Sequence, residues 1–246
     1  MQTRSEQAAV AQQARNISDA KSWLDQTDST LRIMLDTTRR VRDLTVQGLN
    51  SGGLNDEARK ALATEVTSLR EGLLTLANTK NQGRPLFGGV TAGPDAYDTT
   101  TGSFVGVAGG PAITRQISDT EDLRIDVTGE EAFGTAPTDL FTVVQSIATD
   151  LVATPTSLDA DLTDLDAIME KMQSAVADIG ARGSRLERVQ NINADRSVLL
   201  GSQLAETENI DLPNTIMRLQ MQQVGYEAAL SATAKALQPT LLDYLR

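Results

Sequence analysis

From Leu158 to Leu204 the chain places a seam residue at alternating steps of four and three, and this run constrains the possible folds more than any other feature. Leu158, Leu162, Leu165, Met169, Met172, Val176 and Ile179 keep the spacing without a break. Gly183, Leu186, Gln190, Asn193, Ser197, Leu200 and Leu204 continue its register. The alternation puts these residues on one face and predicts a single long helix packed along a heptad seam. At about 1.5 Å per residue that helix would be roughly 70 Å long, longer than a compact domain of this mass is wide. The expectation is an elongated molecule. The polar seam residues Gln190, Asn193 and Ser197 are expected to set register at some cost in stability.

A matching pattern opens the chain. Val10, Ile17, Leu24, Leu31, Thr38 and Thr45 recur every seven residues, and Ala20, Thr27, Met34 and Val41 fill the alternate position. Gly48 and the run Asn50-Ser51-Gly52-Gly53 are expected to end this helix. A second helix, capped by Asn55 or Asp56, carries Leu62, Val66, Leu69, Leu73 and Leu76 on one face. The short loop between the two predicts an antiparallel hairpin.

Helix periodicity disappears from Gln82 to Pro137, where Gly, Thr and Asp dominate. Phe104–Val107, Ile113–Ile117 and Leu123–Val127 read as short strands. Leu140, Val144, Ile147 and Leu151 restore a helix that stops near Pro155. The chain therefore divides into an N-terminal helical arm (1–81), a β-rich insert (82–138), a C-terminal helical arm (139–210) and a last helix (211–246). The predicted fold is mainly α, an elongated antiparallel bundle of long heptad helices with a small β-rich insert.

In the last segment an interruption near Glu206–Pro213 precedes a helix capped by Asp211, with Pro213 in its first turn. Ile216, Leu219, Tyr226, Leu230 and Leu237 share one stripe, and Pro239 breaks the helix before Leu241, Leu242, Tyr244 and Leu245. This apolar stripe either folds back on the bundle or packs against another chain.

Composition narrows the function classes. Aromatic residues are 3% of the chain, which suits thin aliphatic seams better than a rounded core. The net charge of −11 offers no basic stripe to displace counterions, so nucleic acid and anionic membranes are poor partners. The chain has neither Cys nor His, which removes disulfides, thiolate and imidazole chemistry and the usual zinc ligands. No apolar run reaches membrane-spanning length, and no signal-peptide core follows Met1. The Asp159, Asp161, Asp164 and Asp166 run reads as a solvated helix start favoured by the dipole. The pair Glu130 and Glu131 lacks the contrasting environments that acid–base work needs. Gly88-Gly89 and Gly109-Gly110 read as turns, and Arg39, Arg40 and Arg42 as partners of nearby acids. The residues indicate no enzyme, catalytic site, cofactor or metal.

Several stretches resemble the flagellin superfamily. Arg15–Ala20, Trp23-Leu24-Asp25 and Val41–Gly48 are similar to its first long helix, and Leu76–Thr79 followed by Gly83–Gly89 to the exit from its second. Ala181–Glu187 resembles its returning helix. Phe87-Gly88-Gly89, Val127–Gly134 and the ending Leu237–Leu245 lean toward the hook–filament junction branch of that superfamily.

The resemblance implies a flagellin-like fold and a structural adaptor of the bacterial flagellum. Its implied partners are the first hook-associated junction protein, flagellin, copies of itself in a ring, and a cytoplasmic export chaperone. It also implies an extracellular location reached by the flagellar type III route. The residues expected at the subunit or chaperone interface are Ile216, Leu219, Tyr226, Leu230, Leu237, Leu241, Leu242, Tyr244 and Leu245. The superfamily carries a further helix ahead of the Arg15-Asn16 region. The expectation is that this helix is missing here, leaving the last stripe without its intramolecular partner. A filament subunit and, from another class, a coiled-coil signalling module are the competing readings.

Overall fold

The first helix, α1 (Gln2–Leu49), is 48 residues long and serves as the ruler for the rest. The structure, a computed structural model, describes residues 2–50, 55–91, 93–208 and 212–236. After α1 come α2 (Asp56–Ala77), two hairpins, a short α3 (Gly129–Phe133), α4 (Leu140–Asp150), α5 (Leu158–Glu208) and α6 (Leu212–Ala236). These residues group into two units, one of residues 8–197 and one of residues 1–7 with 198 onward. The first holds the core. The long helices and small hairpins match the mainly α fold with a small β-rich insert predicted from the sequence.

The α1 seam follows its heptads. Val10, Ile17, Ala20, Leu24, Leu31, Met34 and Val41 are all buried. Thr27, Thr38 and Thr45 lie fully buried in the same seam, each donating its hydroxyl to the carbonyl four residues back at 2.8 Å. That internal bond satisfies the hydroxyl and lets a polar residue occupy an apolar position. Gly48 departs from expectation. It does not end α1 but lies buried within it, and a Cβ there would fall 2.3 Å from Leu151 Cδ2. Its role is to let the α4 end approach.

α2 begins as predicted. The side chain of Asn55 accepts from the Ala58 N–H, and Leu62, Val66, Leu73 and Leu74 are buried. The Arg cluster on α1 is spent on acids: Arg39 pairs with Asp36, Arg40 with Glu65 of α2, and Arg42 with Asp166 of α5. The α5 seam is narrower than its pattern. Ile179, Leu186 and Asn193 are buried, while Gln190 and Ser197 face solvent. Register therefore falls to Asn193 alone among the three polar candidates. Its amide donates to Val10 O and Gln13 Oε1 of α1, each at 3.3 Å.

The insert pairs fewer residues than its alternation suggests. β1 (Lys80–Asn81) and β2 (Arg84–Pro85) form a two-residue hairpin through Gln82 and Gly83, both at positive φ, as a type I′ turn demands. β3 (Thr114–Gln116) and β4 (Asp122–Arg124) pair with Arg115 opposite Leu123. Phe104–Val107, expected as a strand, makes only one bridge, Tyr97 to Phe104. The backbone curls over its own ring there: a Cβ on Gly106 would sit 2.3 Å from Phe104 Cζ.

Five of the eight aromatic residues are concentrated in one place. Phe104, Phe133 and Phe141 pack around Tyr97, and Phe87 packs on Phe133, with Tyr97 to Phe141 centroids 4.6 Å apart and Phe87 to Phe133 5.0 Å. They join the insert to α4. Arg70 of α2 secures the same junction, donating to Phe141 O and Thr101 O at 3.0 Å. Asn78, the α2 C-cap, bonds the backbone of Ala96 and Tyr97 through both ends of its amide.

The aspartates at the α5 start are not uniformly solvated. Asp161 is partly desolvated, bonds Asp150 and faces the charge of Asp164, and its pKa is raised from 3.8 to about 6. The folded chain therefore holds this proton more tightly than the unfolded one. Stability from the protonated form is complete below the unfolded value and is lost as pH rises through about 6.

Asp161→Asn, which mimics the protonated acid, should stabilise the chain at neutral pH by about 1 kcal/mol after allowing for solvent screening. Denaturant melts should show this gain shrinking to nothing under acid conditions; a gain independent of pH would contradict the assignment. Phe133→Ala should cost ~3–5 kcal/mol in the same measurement, because the ring is fully buried within the aromatic cluster.

Candidate assembly surface

The last helix contradicts the usual economy of apolar surface. α6 has 25 residues and three charged side chains, Arg218, Glu227 and Lys235. Every side chain described on it, residues 213–235, is exposed. Two of its residues sit where helix starts tolerate or favour them: Pro213 occupies the first turn, and Lys235 the last, where a cation complements the dipole. Asp211, expected to cap it, lies outside the described residues.

Four of the interface residues read from the sequence fall on α6. Ile216, Leu219, Tyr226 and Leu230 are between 47% and 68% exposed. At about 100° per residue they fall within an arc of roughly 80°. Leu237, Leu241, Leu242, Tyr244 and Leu245, the remaining five, lie outside the described residues.

The sequence reading missed a second stripe. Met217, Met221 and Val224 are between 62% and 79% exposed and lie about 150° around the helix from the first. Gln220, Glu227 and Ser231 separate the stripes on one side, and Arg218, Gln222 and small residues on the other. The signal was available: Met at i and i+4 with Val at i+7 is itself a helical stripe. Large apolar side chains this exposed mark interaction surfaces, and methionines adapt to irregular partner surfaces.

A separate set of polar ties fixes the insert within the first unit. From α1, Asn16 donates to Gln116 O at 2.9 Å, Asp19 pairs with Arg115 and Gln13 donates to Asp119 at 2.7 Å. From α5, Arg196 reaches the other oxygen of Asp119 at 2.9 Å and Arg185 pairs with Glu121. Arg182 donates to Asp126 O at 2.7 Å. Arg196 and Gln13 together hold the Asp119 carboxyl below the usual carboxylate range.

None of this assembles reaction chemistry. Among the described residues no three metal-ligating side chains converge, and no helix is long and apolar enough to cross a membrane. The arrangement offers packing surface on α6 and a rigidly tied insert.

Comparison with known proteins agrees with this geometry. Residues 1–92 match the bacterial flagellin N-terminal helical region. The flagellar hook-associated protein 3 of Escherichia coli is 26% identical over 208 residues, covering 74% of this chain and 65% of that protein. The chain thus spans just under two thirds of that relative's length. Among solved structures, a putative flagellar hook-associated protein from Vibrio parahaemolyticus superposes with a TM-score of 0.76 at 18% identity, covering 83% of this chain and 94% of that one. The flagellar hook-associated protein-3 from Legionella pneumophila gives 0.74 at 16% identity, covering 85% and 99%. At these identities the structural likeness shows the fold.

Leu219→Glu and Leu230→Glu should each leave the thermal melting of the isolated chain within about 0.5 kcal/mol of the parent, because both side chains are already in solvent. A loss of several kcal/mol in either would show that the stripe is buried in solution.

Proposed function

We propose that this chain, which belongs to the flagellin superfamily, is a structural adaptor subunit of the bacterial flagellum, joining the hook-side junction protein to the flagellin filament. The observation that carries the reading is α6, a helix whose apolar residues are exposed on two sides. One stripe would let a helix lie on a single neighbour. Two stripes about 150° apart suit a helix held between neighbours inside an assembly. Similarity to hook-associated protein 3 supports the junction over the filament itself.

In this reading the partners are the first hook-associated protein on one side, flagellin on the other, and copies of this chain in a ring. Contacts of this kind are heterologous, so they stack subunits instead of closing a dimer. Ile216, Leu219, Tyr226 and Leu230, continued by Leu237, Leu241, Leu242, Tyr244 and Leu245, form one contact surface. The same surface is what an export chaperone would cover before assembly, and the assembled protein would be extracellular, delivered by the flagellar type III route. The arms and the insert would act as separate layers, the insert outermost. The hairpins and aromatic cluster between the arms argue against a signalling coil, which needs an uninterrupted heptad through its turn.

The test is incorporation. The double variant Leu219→Asp/Leu230→Asp, made in the full-length protein, should fold, as judged by circular dichroism, and fail to join hook to filament, abolishing motility in a complemented deletion strain. Normal motility would remove the stripe from the interface. Growth of long filaments from the purified full-length protein alone would favour a filament subunit instead.

A further inference from the structure

The chain has no Cys, so its six methionines hold all of its sulfur, and the structure divides them into two groups. Met34 and Met172 are fully buried in the helical seams, and Met169 is 8% exposed. Met217 and Met221, on α6, are 62% and 79% exposed. The sixth, Met1, lies outside the described residues. Four residues separate Met217 from Met221, which places their thioethers one turn apart on one face of the helix. Gly225, one turn beyond Met221, has no side chain, and nothing lies within 4 Å of where its Cβ would stand. The ground beside the Met221 side chain is therefore open to solvent.

An exposed thioether is open to peroxides. The sulfur lone pair attacks one peroxide oxygen, and the O–O bond breaks as the S–O bond forms. Sulfur is oxidised to the sulfoxide, and the second oxygen leaves as water with both peroxide protons. The product is polar and chiral where the thioether was apolar and adaptable. Buried between neighbours, each sulfoxide oxygen would need a hydrogen-bond donor that an apolar contact does not offer.

We propose that Met217 and Met221 form a peroxide-sensitive modification site, where conversion of both thioethers to sulfoxides turns the second α6 stripe polar and stops the unassembled subunit from docking. Selective oxidation follows from exposure alone, while its effect on docking rests on the adaptor reading. Met34, Met169 and Met172 lie within the first unit and are shielded, so oxidation changes the surface without opening the core. Sulfoxides are reduced by enzymes specific for each epimer, which makes the block reversible.

Peptide mass spectrometry of the purified full-length protein after hydrogen peroxide treatment tests the first step. Met217 and Met221 should each gain an oxygen while Met34, Met169 and Met172 do not, and the helical circular dichroism should be retained. Pelleting with isolated hooks that carry the first hook-associated protein tests the second step. Untreated parent should pellet, and oxidised parent should pellet with roughly tenfold lower affinity. Methionine sulfoxide reductases of both epimer specificities should restore it. The double variant Met217→Leu/Met221→Leu, which keeps side-chain volume and removes the thioethers, should pellet with or without peroxide. Oxidation of the buried methionines as fast as the exposed ones, loss of helical signal, or undiminished pelleting of the oxidised parent overturns the proposal and leaves the adaptor reading standing. Loss of pelleting by the peroxide-treated double variant overturns it too, because the damage would then lie elsewhere. Untreated parent that fails to pellet removes the adaptor reading, and the effect on docking with it.

Discussion

The buried stripe of α1 is the constraint on which the first unit depends. Between Val10 and Gly48 it must find cover for every heptad, and no single element covers it all. Near Val10 the partner is α5, through Asn193. At Gln26 it is the first hairpin, through Asn81 and the Lys80 carbonyl. Around Thr38 it is α5 again, with Met172, and at Gly48 the end of α4 and the start of α5. A continuous helix thus forces successive elements into a common register, because each has to meet a stripe whose positions repeat at a fixed rise. The threonines matter here. Their hydroxyls are satisfied within the helix, so small side chains can line a close seam without leaving a polar atom in need of a partner.

Near Val10 the seam contains a polar pair, Asn193 and Gln13. Such a pair trades stability for register. The aliphatic seams then leave little opportunity for aromatic packing, and the five clustered rings are placed where the chain departs from helix and needs a rounded core. The insert is a small globular core grafted onto a helical scaffold, with Arg70 and Asn78 satisfying the backbone groups that the graft exposes.

The helices were legible because their information is local and periodic: Leu158 to Leu204 and Val10 to Thr45 spell their seams in single letters. The α2 start was legible for the same reason, in the capping residue Asn55. The aromatic cluster was not. Phe87, Tyr97, Phe104, Phe133 and Phe141 have no common period, and only tertiary folding brings them together. The short helix α3 was legible in principle, since Thr128 and Glu131 form a capping box at the spacing that signals a helix start. Phe104–Val107 misled because alternation describes the side chains and says nothing of a backbone that curls over its own ring. The exposed face of α6 lies between these cases. Its first stripe was read, and its second was hidden by treating an amphipathic helix as one-sided.

The polar ties of the β3–β4 hairpin have a mechanical meaning. Asn16, Asp19 and Gln13 hold it from α1, and Arg182, Arg185 and Arg196 from α5, at successive levels along both helices. If α1 and α5 are drawn past one another along their axes, these links are strained together and not one after the next. Bonds loaded in parallel share a force that would break them singly in sequence. The hairpin is thus a cross-brace against sliding, and it places the greatest resistance along the helix direction.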